Sequence, residues 1–169
     1  MVEKHSLETA IQGWELKIAA EGDVEPTLEQ LTDHMNDEQR QVFRDKLQRY
    51  VHKQDRELIL AVRGDQVLGL VCVIDQGEFP PGLSGQKMAY LGNFACGTQL
   101  LVHPYCRRRG IGGSLLTQAE NWALKRGLAG FSITTHRMSH WYEKNFGYEQ
   151  IARIEVKGVA KTVMANKFD

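Results

Sequence analysis

The stretch Leu100–Leu116, LLVHPYCRRRGIGGSLL, constrains this chain more than any other. Leu100, Leu101 and Val102 end at His103-Pro104. Arg107, Arg108 and Arg109 follow, then Gly110-Ile111-Gly112-Gly113-Ser114, then a helix-like apolar run. Read physically, a strand leads into a tight basic loop that opens a helix. Such a loop suits phosphate groups. Glycines let successive N–H groups converge on one point, and the helix N-terminus adds partial positive charge there. Guanidinium forks supply charge-assisted hydrogen bonds to phosphate oxygens. An exposed charged turn is the plainer account of three arginines alone; the glycines and the preceding strand favour phosphate. A dinucleotide fold would need G-x-G-x-x-G near the start of a larger unit. Here Gly110-x-Gly112 is followed by Leu115, and no Gly-Lys-Ser/Thr completes a P-loop.

Charge makes that anion site a local one. The formal net charge is +0, which argues against generic attraction to nucleic acid or membrane. At 169 residues, 42% hydrophobic and 25% charged, the chain fits one domain over residues 1–169. Cys72, Cys96 and Cys106 have neither zinc spacing nor the number a disulfide framework needs, and Cys72 reads as a small core residue. The N-terminus lacks an apolar h-region, and no apolar run reaches the ~20 residues of a membrane span. A reduced cytoplasmic setting is expected.

Along the chain, residues 1–12 read as a loosely held terminus and Trp14–Ala20 as a first strand. Pro26 suits a first helical turn, with Leu28, Leu31 and Met35 as its apolar face. A second helix spans about Asp37–His52, with Val42, Phe43, Leu47, Tyr50 and Val51 as its stripe. Leu58–Val62 and Val67–Ile74 form a hairpin around Arg63-Gly64-Asp65-Gln66. Asp75–Lys87 reads as a surface loop, and Ala89–Val102 as strand pieces interrupted at Gly92 and Gly97, with a bulge or bend near Gly97. After the basic loop, Leu115, Leu116, Ala119, Trp122, Ala123 and Leu124 make a helical face that Arg126-Gly127 closes. Phe131–Thr135 is a strand and Ser139–Phe146 a short helix ending at Gly147. Tyr148–Val156 and Val159–Phe168 are final strands around Lys157-Gly158. The order is β-αα-βββ-α-β-α-ββ, a mixed α/β domain with α+β character.

These residues together resemble the GCN5-related N-acetyltransferase (GNAT) family over nearly the whole chain. The family's Arg/Gln-x-x-Gly-x-Gly/Ala stands here as Arg107-Arg108-Arg109-Gly110-Ile111-Gly112, and Val102-His103-Pro104 matches its V-x-P. Trp141-Tyr142-Glu143-Lys144-Asn145-Phe146-Gly147-Tyr148 is similar to its L-Y-E-K-x-G-F segment, and Val163–Phe168 to its last strand. The resemblance implies a GNAT-type central twisted mixed sheet of six or seven strands flanked by about four helices. It implies acetyl-coenzyme A as donor, no metal, and a small-molecule or peptide primary amine as acceptor. The main chain at Leu100, Leu101 and Val102 would pair with the pantetheine arm. Arg107, Arg108, Arg109, Gly110, Gly112 and Gly113 would hold the pyrophosphate, assisted by Ser114, and Tyr142 would protonate the departing thiolate.

The chemistry explains these demands. A substrate ammonium with pKa ~10 must lose a proton before it attacks a thioester, and the leaving sulfur must gain one. Family members with a dedicated base often carry a glutamate on the central strand; here Asn93–Gln99 contains no carboxylate. Glu78, His103, His136 or an ordered-water path could substitute. His136 and His140 stand i, i+4, which is compatible with metal binding if helical, but no third ligand is evident. The missing carboxylate also fits a second reading, a coenzyme A-binding sensor or partner protein of the same fold with weak catalysis. A longer acyl donor or an alcohol acceptor is a third. Asp23, Glu25, Glu29, Asp33 and Asp37 make the first two helices acidic, which suits a cationic amine but also suits helix starts. A homodimer is a fair expectation for a small soluble enzyme.

Overall fold

Alternation along the strands and spacing along the helices carry through to the three-dimensional structure, a computed structural model that describes residues 13–75 and 82–169. The strands are β1 (Glu15–Ile18), β2 (Arg56–Arg63), β3 (Gln66–Ile74), β4 (Phe94–Val102), β5 (Gly130–Thr135), β6 (Glu149–Val156) and β7 (Val159–Lys167). The helices are α1 (Val24–Leu31), α2 (Asp37–Tyr50), α3 (Gly85–Leu91), α4 (Ile111–Lys125) and α5 (Ser139–Phe146). Strand order is β1-β2-β3-β4-β5-β7-β6, and the sheet is mixed: β4 and β5 run parallel, whereas β1–β2, β5–β7 and β6–β7 are antiparallel. By its internal contacts the chain divides into two units, Met1–Val73 with Gln99–Asn121 and Ile74–Thr98 with Trp122–Asp169. Among the described residues, no helix is long and apolar enough to cross a membrane.

In the first unit, β2 and β3 are buried along almost their whole length, as strands covered on both faces require. Leu28, Leu47, Leu60, Leu70 and Leu115 are fully buried there. The Gln30 side chain fixes α1 to the β2–β3 turn, donating to Asp65 O at 3.1 Å and accepting from Val67 N–H at 2.7 Å. Helix α2 starts on a capping box: Gln39 N–H donates to Asn36 Oδ1 at 2.8 Å and Asn36 N–H to Gln39 Oε1 at 3.1 Å. Its buried stripe is Phe43, Leu47 and Tyr50; Val42, read as part of it, is 66% exposed. Val42 lies one residue before Phe43, about 100° round the helix, and falls on the solvent side of the stripe set by Phe43, Leu47 and Tyr50. Met35 is likewise half-buried beyond the end of α1, which stops at Leu31.

Asp23 ties the entry to α1. Its carboxylate accepts from Ala20 N–H and from Lys17 Nζ, each at 2.8 Å. Partial burial works against the charge, but the bonds to Lys17 and Ala20 outweigh it and hold the carboxyl below its ordinary value. A lowered folded-state pKa stabilises the fold above the ordinary carboxylate range, and that contribution fades as pH falls through the lowered value. Asp23→Asn is therefore expected to destabilise the fold at neutral pH and to matter least in acid below the folded value, where the carboxyl is protonated. Urea melts of both chains across pH check this.

The second unit packs β5, β7 and β6 with the first part of β4. Leu83, Leu91, Phe94, Ile154, Val163 and Ala165 form one of its buried clusters. Lys157 and Gly158 both have positive φ, 50° and 76°, as a two-residue hairpin turn of type I′ needs. Helix α3 corrects the sequence reading, in which its residues were loop and strand. Gln86, Lys87, Met88, Ala89 and Leu91 are good helix formers, and only Leu91 of this helix is buried, so its apolar pattern is too sparse to announce it. Register between β4 and β5 is regular from Phe94↔Gly130 to Gly97↔Ile133 and ends there, at the glycine expected to mark a bulge or bend, while β4 itself continues to Val102. A register irregularity lies in β6, between Gln150 and Ala152. Leu124 lies outside the α4 face predicted for it, at 47% exposure. Residues 1–12 and Glu78 fall outside the described residues.

Candidate functional site

The β4–β5 register ends at Gly97, and Thr98–Val102, the five residues that follow, are half-exposed. A strand end of this kind presents main-chain donors and acceptors to an extended ligand. The chain then turns at Pro104 through a 3-10 turn. His103 anchors the turn at both ends: its N–H donates to Leu68 O at 2.8 Å, and Cys106 N–H donates back to His103 O at 2.8 Å. Its imidazole Nδ1 accepts from Tyr105 N–H at 3.2 Å.

Beyond the turn the backbone alternates. Arg107 is extended, with φ −65° and ψ 155°, Arg108 is left-handed at φ 63° and Gly110 left-handed at φ 80°. Left-handed backbone costs a residue with a side chain roughly 1–2 kcal/mol, so Arg108 holds local strain that Gly110 does not. Alternation of this type swings neighbouring N–H groups toward one point. Helix α4 starts directly after it, and the N–H groups of Ile111, Gly112 and Gly113 have no carbonyl four residues back within the helix. Ser114 N–H is already used, donating to Gly110 O at 3.0 Å, and the residue is buried. Arg107, Arg108 and Arg109 are exposed. Main-chain N–H groups, a helix N-terminus and three exposed arginines thus fall within one short stretch, a combination whose chemistry suits an anion. A cavity of about 290 Å³ adjoins it, lined by Trp14, Arg63, Leu68, Cys106, Arg109 and Ile111.

Gly69 is the part of this site that the sequence did not single out. A Cβ there would stand 2.9 Å from Leu101 O, 3.1 Å from Leu115 Cδ1 and 3.4 Å from Ile111 Cγ2. Its lack of a side chain lets β3 approach both the end of β4 and the first turn of α4. An isolated glycine inside an apolar strand was the available signal. Gly69→Ala is expected to lower stability by about 1–3 kcal/mol, read as a fall in Tm, because the backbone oxygen of Leu101 must give way.

In the second unit, Tyr142 sits on α5, with its N–H donating to Met138 O at 3.1 Å and its own carbonyl accepting from Tyr148 N–H at 3.3 Å. Its ring meets Trp141 edge-on at 4.9 Å and Tyr148 at 5.4 Å. Only 4% of the residue is exposed, and burial pushes its phenol well above the ordinary tyrosine value. Such a group stays protonated through the neutral range and can act as a proton donor. The helix ends at Gly147, left-handed at φ 69°. His136 precedes α5 and so shares no helical face with His140, and no group of three metal-binding side chains occurs among the described residues.

Two of the five acidic residues near α1 are held in ion pairs. Glu25 pairs with Arg44 and Asp23 with Lys17. Cys72 is a core residue as expected, its thiol pushed up to about 12 by burial.

A sequence model of the Acetyltransferase (GNAT) family matches residues 25–148. No curated protein sequence matches the chain significantly. Among solved structures, the PaiA N-acetyltransferase of Thermoplasma acidophilum in complex with coenzyme A is similar, with TM-score 0.62 and 18% identity over 92% of this chain and 99% of that one. An aminoglycoside 6′-N-acetyltransferase complexed with coenzyme A gives TM-score 0.67 and 14% identity, over 90% and 96%. The spermidine/spermine N-acetyltransferase SpeG of Vibrio cholerae, in complex with manganese ions, gives 0.64 and 14%, over 92% and 93%.

Proposed function

This chain belongs to the acetyltransferase (GNAT) family, and from that premise we propose that it moves an acetyl group from acetyl-coenzyme A to a primary amine by direct attack in a ternary complex. The alternating backbone at Arg108 and Gly110, set between a half-exposed strand end and a helix N-terminus, carries the reading. Main-chain groups of Leu100, Leu101 and Val102 align the pantetheine arm. Arg107, Arg108, Arg109, Gly110, Gly112 and Gly113 hold the pyrophosphate, with Ser114 assisting at the helix start. Holding the thioester rigidly contributes to rate by orienting it for the amine. Tyr142 gives the leaving sulfur its proton. The acceptor belongs to the broad class of amines that includes polyamines, aminoglycosides and peptide N-termini.

Calorimetry with acetyl-coenzyme A, followed by thiol detection with spermidine, kanamycin and a short peptide as acceptors, tests the proposal. Binding followed by thiol release is expected. Binding without release from a broad amine panel points to a coenzyme A-binding sensor, and absence of binding at millimolar ligand removes the reading altogether.

A further inference from the structure

The cavity beside the arginine loop has walls whose chemistry the proposed transfer leaves unused. Its lining residues, Trp14, Arg63, Leu68, Cys106, Arg109 and Ile111, all belong to the first unit. Trp14, Leu68 and Ile111 are buried residues, so the carbon they contribute to the wall is core-like. Arg63 and Arg109 contribute charge, and no carboxylate is among the described lining residues. Arg63 is anchored at the wall, its Nε–H donating to Gly13 O at 3.1 Å. Arg109 is exposed and comes from the loop itself.

Those walls select a ligand. Inorganic phosphate would set most of its oxygens against indole and aliphatic carbon, losing water without gaining partners. A plain hydrocarbon would make nothing of two guanidinium groups. A small acid with a compact apolar body answers both. Its carboxylate accepts from the Arg109 fork beside the Arg63 charge, and its body covers Trp14, Leu68 and Ile111. The volume of about 290 Å³ is the liquid share of about ten waters, which limits the body to roughly one aromatic ring or branched chain. We infer that this cavity is a second ligand site, taking a small organic monocarboxylate with an aromatic or branched apolar body.

The site has a regulatory consequence because Arg109 serves two places. It lines the cavity, and it belongs to the loop proposed to hold the pyrophosphate. Ile111, also in the wall, opens α4. An acid in the cavity draws the Arg109 guanidinium away from the diphosphate, so each ligand weakens the other by the same factor. This coupling rests on the transferase reading of the loop; binding of the acid does not.

Calorimetry on the wild-type chain with 3-phenylpropionate tests the site without coenzyme A. Saturable binding is expected, and 3-phenylpropanamide, the same shape without charge, should bind about 10-fold more weakly or worse. Cys106 is half-buried in the wall whereas Cys72 and Cys96 are buried. Iodoacetamide labelling with peptide mass mapping should therefore show Cys106 slowed by the saturating acid. Cys106→Phe fills the cavity and should abolish binding of the acid while coenzyme A still binds. Absence of binding, equal binding of the amide, or unprotected Cys106 would each overturn the site. If Cys106→Phe does not fold, the amide and the labelling decide. With coenzyme A present, rising acid should lower its affinity about 5-fold or more and then reach a plateau. A loss that continues without a plateau would put both ligands in one place and overturn a second site, and an unchanged affinity would overturn the coupling. Coenzyme A that fails to bind without the acid ends the transferase reading, and calorimetry of the acid then judges the cavity alone.

Discussion

Tyr142→Phe is expected to lower kcat by about 10²–10⁴-fold while leaving the affinity for acetyl-coenzyme A near wild type. The substitution removes one oxygen and keeps the ring, so the packing against Trp141 and Tyr148 survives. Burial holds the wild-type phenol above its ordinary value, which fixes the sign of the pH effect. A raised pKa keeps the acid form present across neutral and mildly alkaline pH, so the wild-type rate should not fall there through loss of this proton. Steady-state thiol release across pH, with calorimetry on the same samples, checks both halves. An unchanged kcat removes Tyr142 from the chemistry, and a lost affinity turns it into a binding residue.

Phe131→Ala should cost about 3–5 kcal/mol, a large part of the 5–15 kcal/mol that holds a typical domain together. Phe131 is fully buried on β5, and its ring fills the space that a side chain at Gly97 would take. A Cβ on Gly97 would stand 2.9 Å from Phe131 Cζ and 3.2 Å from Ile133 Cδ1. The two positions should therefore couple. Gly97→Ala is expected to cost about 1–3 kcal/mol in the wild type and clearly less beside Phe131→Leu. Chemical melts of the four chains measure that coupling directly. Additive costs would mean that the ring and the glycine do not share the space. The pair matters because Gly97 closes the β4–β5 register just before the strand end proposed to meet the pantetheine arm.

Much of this was legible in the sequence because the local signals agree. Gly147 and Gly127 close their helices in the left-handed backbone expected of a C′ glycine, and Lys157-Gly158 makes the last hairpin. The strand, basic loop and helix from Leu100 onward follow from glycine placement and the change of apolar period. The rest depends on tertiary packing. Helix α3 buries only Leu91 and so leaves no stripe to read. Gly69 is unremarkable until Leu101 and Leu115 are seen beside it. That the His103 ring accepts from Tyr105 N–H while the His136 ring lies against Ala160 O, twenty-four residues on, is likewise visible only in the structure.

The proposed cradle for the pyrophosphate can be watched amide by amide. In ¹⁵N-labelled protein titrated with coenzyme A, the N–H signals of Arg108 to Gly113 should shift together and saturate, whereas pantetheine, which lacks the diphosphate, should leave them nearly in place. Coenzyme A that saturates the protein without moving those signals, or pantetheine that moves them equally, would contradict the assignment of this loop.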